Sequence, residues 1–218
     1  MARTITVKGI GKASTKPDQV VLSISLESRN MDYQKAVEQS AIQLEQLKDS
    51  LSGIGFDKDS VKTTYFNVRT EYNQIQDEKG MYQDVFSGYV VSHALKLTFD
   101  FDSKRLSETL GTVTSCLANP QLTIDFTVKD PTKINEEMLR SATDNAKSKA
   151  VTLCAASGAK MGELLSINYS WNDIIYHSNT RYEMAQDSMP MMAMAKSIDI
   201  EPENVESSDT VTFVWEIL

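Results

Sequence analysis

Apolar and polar residues alternate along several short stretches of the chain, a pattern typical of β-strands that bury one face. The clearest stretch is 18–29, in which Val20, Leu22, Ile24 and Leu26 share a face. We predict a strand there. The same or a weaker alternation predicts six more strands, at 3–11, 61–75, 85–101, 122–128, 163–170 and 211–217.

Three other segments repeat apolar residues at steps of three and four, the period of an amphipathic helix. The first is 31–52, with Gly53 and Gly55 just beyond its end. The second follows Asp102-Ser103, a good helix start, and ends before Asn119-Pro120. We therefore predict two amphipathic helices, each packed by one apolar face.

The third helical segment is the longest and has an unusually small inner face. Asp130-Pro131 is a favourable helix start and Gly158 a favourable stop, which predicts a helix over 131–157. Its inner face is lined by Leu139, Ala142, Ala146, Ala150 and Leu153. Small side chains permit a short distance to the neighbouring element, so we expect this face to be tightly packed.

The order of predicted elements is β-β-α-β-β-α-β-α-β-loop-β, in which the loop is an irregular polar and Met-rich stretch over 171–208. Single helices between strands of period two favour an α+β fold with a mostly antiparallel sheet and helices packed on one face. We expect one domain over 1–218. Two intertwined subdomains, about 1–102 and 103–218, are the alternative.

Composition indicates an ordinary globular protein. The chain has 218 residues, of which 41% are hydrophobic and 24% charged, so it can bury a substantial core and is not a disordered chain. Its net charge of −8 argues against a protein that binds nucleic acid through a basic face. No stretch is apolar enough for a membrane span, and no signal peptide precedes the first strand. As written, we expect a cytoplasmic protein; a trimmed mature form would be periplasmic or part of the cell envelope.

Candidate catalytic and cofactor groups are sparse. The run from Gly9 to Ser14 superficially suggests a phosphate loop, but it lacks the third glycine and leads into a strand. His93 falls on an apolar strand face and His177 in the irregular stretch, without metal-ligand spacing. Asp100 and Asp102 are expected to hold a turn and begin the following helix, although a shared proton or cation is conceivable for two carboxylates so close together.

The two cysteines, Cys116 and Cys154, stand among apolar and small residues, and we expect two buried free thiols. Neither forms a C-x-x-C pair, and a nucleophile built from either with His93 would need an exposed thiol. No standard catalytic motif is present in the sequence. We therefore predict that the protein is not an enzyme and uses no cofactor.

The irregular stretch holds half of the ten methionines. Thioethers are adaptable apolar contact groups, and they are also ligands for the soft ion Cu(I). We favour a contact surface between subunits, with metal binding or simple disorder as the alternatives. The residues concerned are Met184, Met189, Met191, Met192 and Met194.

Several motifs along the chain occur in an order and spacing that resemble one family. They are Ile5 to Gly11, Lys16-Pro17-Asp18, Leu51 to Gly55, Thr63 to Val68, Gly88-Tyr89, the Ala- and Lys-rich stretch from Ala142 to Gly158, and the ending from Met191 through Pro202 to the last strand. Together they resemble the bacterial SIMPL-domain family, which has no assigned activity and includes periplasmic immunogenic and oxidative-stress-defence proteins.

This resemblance implies an α+β fold and self-assembly into ring-like or channel-like homo-oligomers, with a role linked to stress or the cell envelope. It supplies no catalytic residues. The expected partner is therefore a second copy of the chain, with an unidentified protein partner as a further possibility. A carrier of a small molecule or of Cu(I) is the alternative function.

Overall fold

The computed structural model describes residues 3–76, 80–116, 121–170, 174–184 and 200–218. It contains eight strands and three α-helices within these ranges, and the sheet is mostly antiparallel. The elements in chain order are β1 (Thr4–Thr15), β2 (Gln19–Asn30), α1 (Tyr33–Ser52), β3 (Lys62–Gln76), β4 (Tyr82–Asp100), α2 (Ser103–Ser115), β5 (Gln121–Thr127), α3 (Thr132–Ala156), β6 (Met161–Asn168), β7 (His177–Met184) and β8 (Val205–Ile217).

The chain divides into two compact units, each assembled from separate segments. The first unit comprises residues 1–18, 127–179 and 202–218, and the second comprises 19–126 and 180–201. Strand β7 contributes its first three residues to the first unit and the remainder to the second.

The second unit is a sheet in the order β7-β5-β2-β4-β3, with β2 and β3 both antiparallel to β4. The predicted alternation in β2 is observed, since Val20, Leu22, Ile24 and Leu26 are buried. They pack against Leu47 and Leu51 of α1, Leu106 and Leu110 of α2, and Ile124 and Phe126 of β5. The two helices therefore cover the same face of this sheet.

The first unit is built on the antiparallel pair of β1 and β8, which are in register over twelve residues of each strand. Strands β6 and β7 pair with β8 as well, at opposite ends of that strand. A small core of Val7, Val211, Phe213 and Trp215 lies beneath α3. The alanines of α3 form the other side of this core.

The packing of α3 on β1 is unusually close. A Cβ atom added at Gly9 would lie 2.0 Å from the carbonyl oxygen of Ala142, and one at Gly11 would lie 2.0 Å from that of Met138. No real side chain tolerates such distances, so only glycine fits at both positions. Ala142, Ala146 and Ala150 are fully buried at this contact, which confirms the tightly packed small residues predicted for the helix. The prediction is wrong for Leu153, which is 54% exposed, because the buried positions continue at four-residue steps to Cys154.

The same helix completes the hydrogen bonding of β1 on the edge that β8 does not use. Three polar side chains of α3, spaced four residues apart, bond the β1 main chain. Asn145 Oδ1 accepts from Ile10 N–H at 3.0 Å, Ser141 Oγ accepts from Lys12 N–H at 3.2 Å, and Lys149 Nζ donates to the carbonyl oxygen of Lys8 at 3.1 Å. This edge of β1 is therefore covered and cannot readily accept another strand.

The sequence prediction and the structure differ chiefly over 171–208. The prediction of irregular structure there is wrong for 177–184, which form β7, and for 205–208, which begin β8. β7 carries Ser178, Thr180 and Tyr182 as its less exposed residues, and a strand whose inward positions are mostly polar gives no apolar alternation to detect. Pairing with β5, and with β8 at Ser178 opposite Val205, forms the strand instead.

The short distance between α3 and β1 leads to a prediction about the stability of the fold. Ala146→Leu should destabilise the protein by about 1–3 kcal/mol, because the added methyl groups have no space between α3 and β1. Ala155→Leu, on the exposed side of the same helix, is the matched control and should leave the denaturation midpoint unchanged. Equal midpoints for the two variants in urea would contradict the close packing.

Candidate functional site

The glycine-rich run near the N-terminus is not a phosphate-binding loop. Gly9 and Gly11 lie inside β1, and the space where phosphate oxygens would sit is filled by the main chain of α3. The element that approaches these two glycines is the helix α3.

His93 is buried in β4, with 6% of its surface exposed. Its Nε2 hydrogen-bonds the hydroxyl of Thr63 at 2.9 Å, and its ring meets Phe66 edge to face with the centroids 5.1 Å apart. Burial, and then the Lys48 ammonium, lower the pKa of His93 below the ordinary value of 6.5. The ring is therefore neutral at pH 7. His177 is exposed at the start of β7.

Both cysteines are buried free thiols, as predicted. Cys116 lies in the second unit and Cys154 in the first. Cys116 Sγ is 4.0 Å from the Ser50 hydroxyl, a weak contact. The structure pairs neither thiol with a histidine in the contacts it describes, so it does not assemble the Cys/His nucleophile considered from sequence.

Of the two neighbouring aspartates, Asp102 caps α2. Its carboxylate accepts from the Arg105 N–H at 2.7 Å, which is the N-cap role expected from sequence. Asp100 ends β4 with its side chain exposed. Among the described residues no group of three or more His, Cys, Asp or Glu side chains is placed to hold a metal ion.

The first unit contains a partly buried carboxylate beside two phenols. Tyr169 hydrogen-bonds Asp209, and burial followed by this contact raises the pKa of Tyr169. Burial and the Asp209 charge also raise the pKa of Tyr176. Both phenols thus keep their protons at neutral pH, so the group supplies hydrogen bonds rather than a nucleophile.

A polar cleft of about 590 Å³ opens near the end of β1 in the first unit. It is lined by Lys12, Ala13, Ser14, Asn179, Glu206, Ser207 and Ser208. The lysine and glutamate have opposite charges and both are exposed. The cleft therefore has hydrogen-bonding groups without the apolar walls that usually hold a small ligand.

Of the five methionines predicted to form a contact surface, Met184 ends β7. The other four, Met189, Met191, Met192 and Met194, lie outside the described residues.

The most distinctive accessible feature of the second unit is the edge formed by β3. Within the described part of the chain, this fifteen-residue strand pairs with β4 on one side and with no strand on the other. Bulky apolar residues are half exposed along it, at Tyr65 (56%), Phe66 (48%), Tyr72 (55%) and Ile75 (53%). A long unpaired edge that carries such side chains is a template for pairing with another strand.

Two opposite charges lie at the middle of this edge. Arg69 Nη1 is 3.9 Å from Glu71 Oε1, and Arg29 Nη2 is 4.0 Å from the same oxygen. Both distances are longer than a hydrogen bond, so the carboxylate can still take a closer partner. Arg69 is about half exposed.

A row of aromatic rings continues from α1 onto the hairpin of β3 and β4. Tyr33 contacts Tyr89, Tyr89 contacts Phe86, and Phe86 contacts Tyr72, with centroids 5.3–5.8 Å apart and steeply inclined planes. Edge-to-face contacts of this kind stabilise the hairpin beyond the end of the helix. The row fixes the conformation of β3 near Glu71.

Alternation in the sequence predicts β3 as a strand but does not predict its position at the edge of the sheet. The available signal was that polar residues occupy both of its faces, as at Asn67 and Thr70, which is unusual for a strand buried between neighbours. Alternation predicts which residues of a strand share a face, but it does not predict which strands lie beside it.

None of the described helices is both long and apolar enough to cross a membrane. Comparison with known proteins matches residues 5–215 to the SIMPL family, described as proteins of unknown function (DUF541). The chain is also similar to the 26 kDa periplasmic immunogenic proteins of Brucella melitensis biotype 1 and Brucella abortus strain S19. It is 21% identical to each over 164 residues, which is 75% of this chain and 65% of each relative.

The chain therefore spans somewhat less than two thirds of the length of those relatives. The family match, in contrast, covers all three helices and nearly every strand residue described above. It agrees with the resemblance drawn from the motifs between Ile5 and the last strand. The protein belongs to the SIMPL family.

Proposed function

We propose that this protein is a non-enzymatic, self-assembling member of the SIMPL family, and that the open edge of β3 pairs with the same edge of a second copy. The observation that carries the proposal is the exposed, uncovered β3 strand with opposite charges at its centre. Function then lies in the assembly rather than in a catalytic centre.

The contrast with β1 supports β3 as the contact. In the part of the chain that the structure describes, both strands are long and pair with another strand on one side only. The outer edge of β1, however, is occupied by Ser141, Asn145 and Lys149 of α3. No described helix side chain bonds the main chain of β3 in this way. The outer edge of β1 is therefore protected from pairing with another strand, and the outer edge of β3 is not.

The sequence of β3 is complementary to itself in one antiparallel register. If Thr70 lies opposite Thr70 of a second copy, Arg69 faces Glu71 of that copy and Glu71 faces its Arg69. A two-fold axis through Thr70 then produces two ion pairs from one strand sequence, as expected of an isologous contact. Opposite charges directly across a strand pair are favourable, and like charges are not.

Three of the four half-exposed apolar residues of β3 agree with the same register, whereas Phe66 faces Gln74. Tyr65 then faces Ile75 of the second copy, and Val68 faces Tyr72. Aromatic side chains paired with branched aliphatic ones are among the favourable cross-strand pairs. The half-exposed side chains of Tyr65, Tyr72 and Ile75 would each gain an apolar neighbour from the second copy.

An isologous contact by itself closes a dimer. The ring-like or channel-like assemblies implied by the family resemblance need a second contact in addition. We propose the Met-rich segment, Met184 to Met194, for this second role, because thioether side chains adapt to irregular partners.

The names of the relatives support a role at the cell envelope. Both Brucella proteins are described as periplasmic and immunogenic. We propose an envelope location, and a link to stress, for this chain as well, with a cytoplasmic location as the alternative. A protein of the envelope that acts by assembling needs exposed pairing surfaces such as β3.

Charge reversal tests the proposed register directly. Arg69→Glu alone places a second carboxylate opposite Glu71 twice in each pair of copies, so self-association should weaken by about tenfold or more. Glu71→Arg should weaken it similarly. An equimolar mixture of the two variants should associate again, because each acidic position then faces a basic one. Sedimentation velocity at low salt measures all three samples.

Lys147→Glu, an exposed charge reversal on α3, is the control for net charge and should leave association unchanged. Surface pairs contribute only about 0.2–1 kcal/mol, so the fold of each variant should be intact by circular dichroism. Variants that associate normally alone, or that stay apart when mixed, would exclude this register.

The Met-rich contact makes a separate prediction. Replacing Met189, Met191, Met192 and Met194 by Ser should reduce the size of assemblies larger than the dimer, while helix and strand content stays the same. Light scattering during dilution, with circular dichroism on the same samples, measures both. Retention of the full assembly would contradict a contact role for the segment.

The same variant distinguishes a role in assembly from the alternative function, the binding of Cu(I). A protein that carries Cu(I) through these thioethers should lose binding of that ion on substitution, with no change of assembly. Titration of Cu(I) under anaerobic conditions distinguishes this result from loss of assembly.

A further inference from the structure

We propose that His93 makes the attachment of β3 sensitive to pH, so that mild acid loosens this strand and weakens the assembly built on it. The second part rests on the function proposed above. The first part concerns the folded chain alone and stands independently of assembly.

His93 joins β4 to the beginning of the edge strand. Its Nε2 bonds the Thr63 hydroxyl at 2.9 Å, and Phe66, which lies opposite it on β3, covers the ring. Between these two residues the register of β3 shifts, so the strand is irregular at this point. Two of the side chains that hold the start of β3 thus contact one imidazole.

The surroundings of the ring disfavour a positive charge. His93 Nδ1 is buried and has no hydrogen-bond partner among the described residues. Protonation turns both ring nitrogens into donors, and Nδ1–H would then have no acceptor. A buried donor left without a partner destabilises the folded arrangement.

No compensating negative charge faces the ring from the described elements packed against it. Leu26 faces His93 from β2, and Thr63 and Phe66 face it from β3; none of these side chains ionises. From α1, the charge that acts on the ring is the Lys48 ammonium, which repels an imidazolium. Every described neighbour therefore favours the neutral ring.

Water can reach a charged ring most easily from the β3 side. Leu26 is fully buried in the core of the second unit, whereas Phe66 is 48% exposed at the edge of the sheet. Displacing the first part of β3 hydrates the imidazolium and disturbs little of the core. The least costly response to protonation is thus an opening of β3 rather than of β2.

The direction of the pH effect follows from linkage. Burial lowers the pKa of His93 in the closed strand, while in the opened strand it returns toward 6.5. The neutral ring stabilises the closed strand fully above pH 6.5, and this contribution is lost as the pH falls from there toward the lowered pKa. At pH 5.5 the equilibrium favours opening by up to about tenfold more than at pH 7.5.

Hydrogen exchange with mass spectrometry tests the proposal. After correction for intrinsic rates, amides of residues 62–68 should lose up to about tenfold protection between pH 7.5 and 5.5, and those of β2 should not. His93→Gln keeps a polar group that can reach Thr63 and cannot titrate in this range, so its protection should not change with pH. His177→Gln removes the other histidine, which is exposed, and should behave as the natural chain does.

Sedimentation velocity at the two pH values then tests whether the opening of β3 weakens self-association. Natural chain and H177Q should dissociate more at pH 5.5, and H93Q should associate equally at both. If the natural chain assembles at both pH values and β3 exchange is unchanged, the role of His93 is excluded. If it stays monomeric throughout, the proposed assembly fails, and the exchange data still decide the role of His93.

NMR titration of the imidazole protons in the natural chain provides a readout that does not depend on the folding of a variant. The two histidines give two titration curves, assigned with H177Q. The His93 curve should have its midpoint below the ordinary value of 6.5 and should move together with amide shifts in 62–68. A His93 midpoint at the ordinary value, without change in β3, would overturn the proposal.

Discussion

The contact between α3 and β1 determines how the first unit can be built. Gly9 and Gly11 let the helix main chain approach the strand, Ala142 and Ala146 keep the space between them filled, and Ser141, Asn145 and Lys149 satisfy the outer edge of β1. Each part depends on the others, because a larger residue on either side would separate the polar side chains from the main chain they bond. One edge of the fold is thus closed by side chains rather than by another strand.

Strand β3 in the second unit has no comparable cover among the described residues. Its edge carries half-exposed Tyr65, Tyr72 and Ile75 and the central charges of Arg69 and Glu71. Edge strands in soluble proteins are usually protected by charges, bulges or covering elements. β3 has two central charges and an irregular register near Thr63, but it keeps bulky apolar side chains exposed, and no described element covers them. The proposed pairing with a second copy would account for the exposure and the placement of the charges together. It also gives a family described only as of unknown function a physical activity to test.

Much of the fold followed from local patterns, and the surface proposed for self-association did not. Alternation in β2 and the alanine spacing of α3 predicted the buried residues correctly because burial on one face leaves a direct trace in the sequence. β7 was not predicted because its inward residues are mostly polar. The contact of Tyr169 with Asp209 and the hydrogen bond of His93 to Thr63 were not predicted because each joins residues that are distant along the chain. Periodicity predicted β3 as a strand, yet an edge is a property of the sheet. The charges of Arg69 and Glu71 can be interpreted as a pairing site only once β3 is known to be an edge strand.

Cysteine cross-linking at the two-fold axis tests the pairing of β3 most directly. Thr70→Cys places a thiol opposite its own copy, where paired strands hold Cα atoms about 4.5–5.5 Å apart, within reach of a disulfide. Asn73→Cys, equally exposed on the same strand, lies about 20 Å from its own copy in this register and serves as control. The native Cys116 and Cys154 are buried. Mild oxidation should convert the Thr70→Cys protein to a covalent dimer and leave the Asn73→Cys protein monomeric on a denaturing gel; equal cross-linking of the two, or none at position 70, would contradict the account.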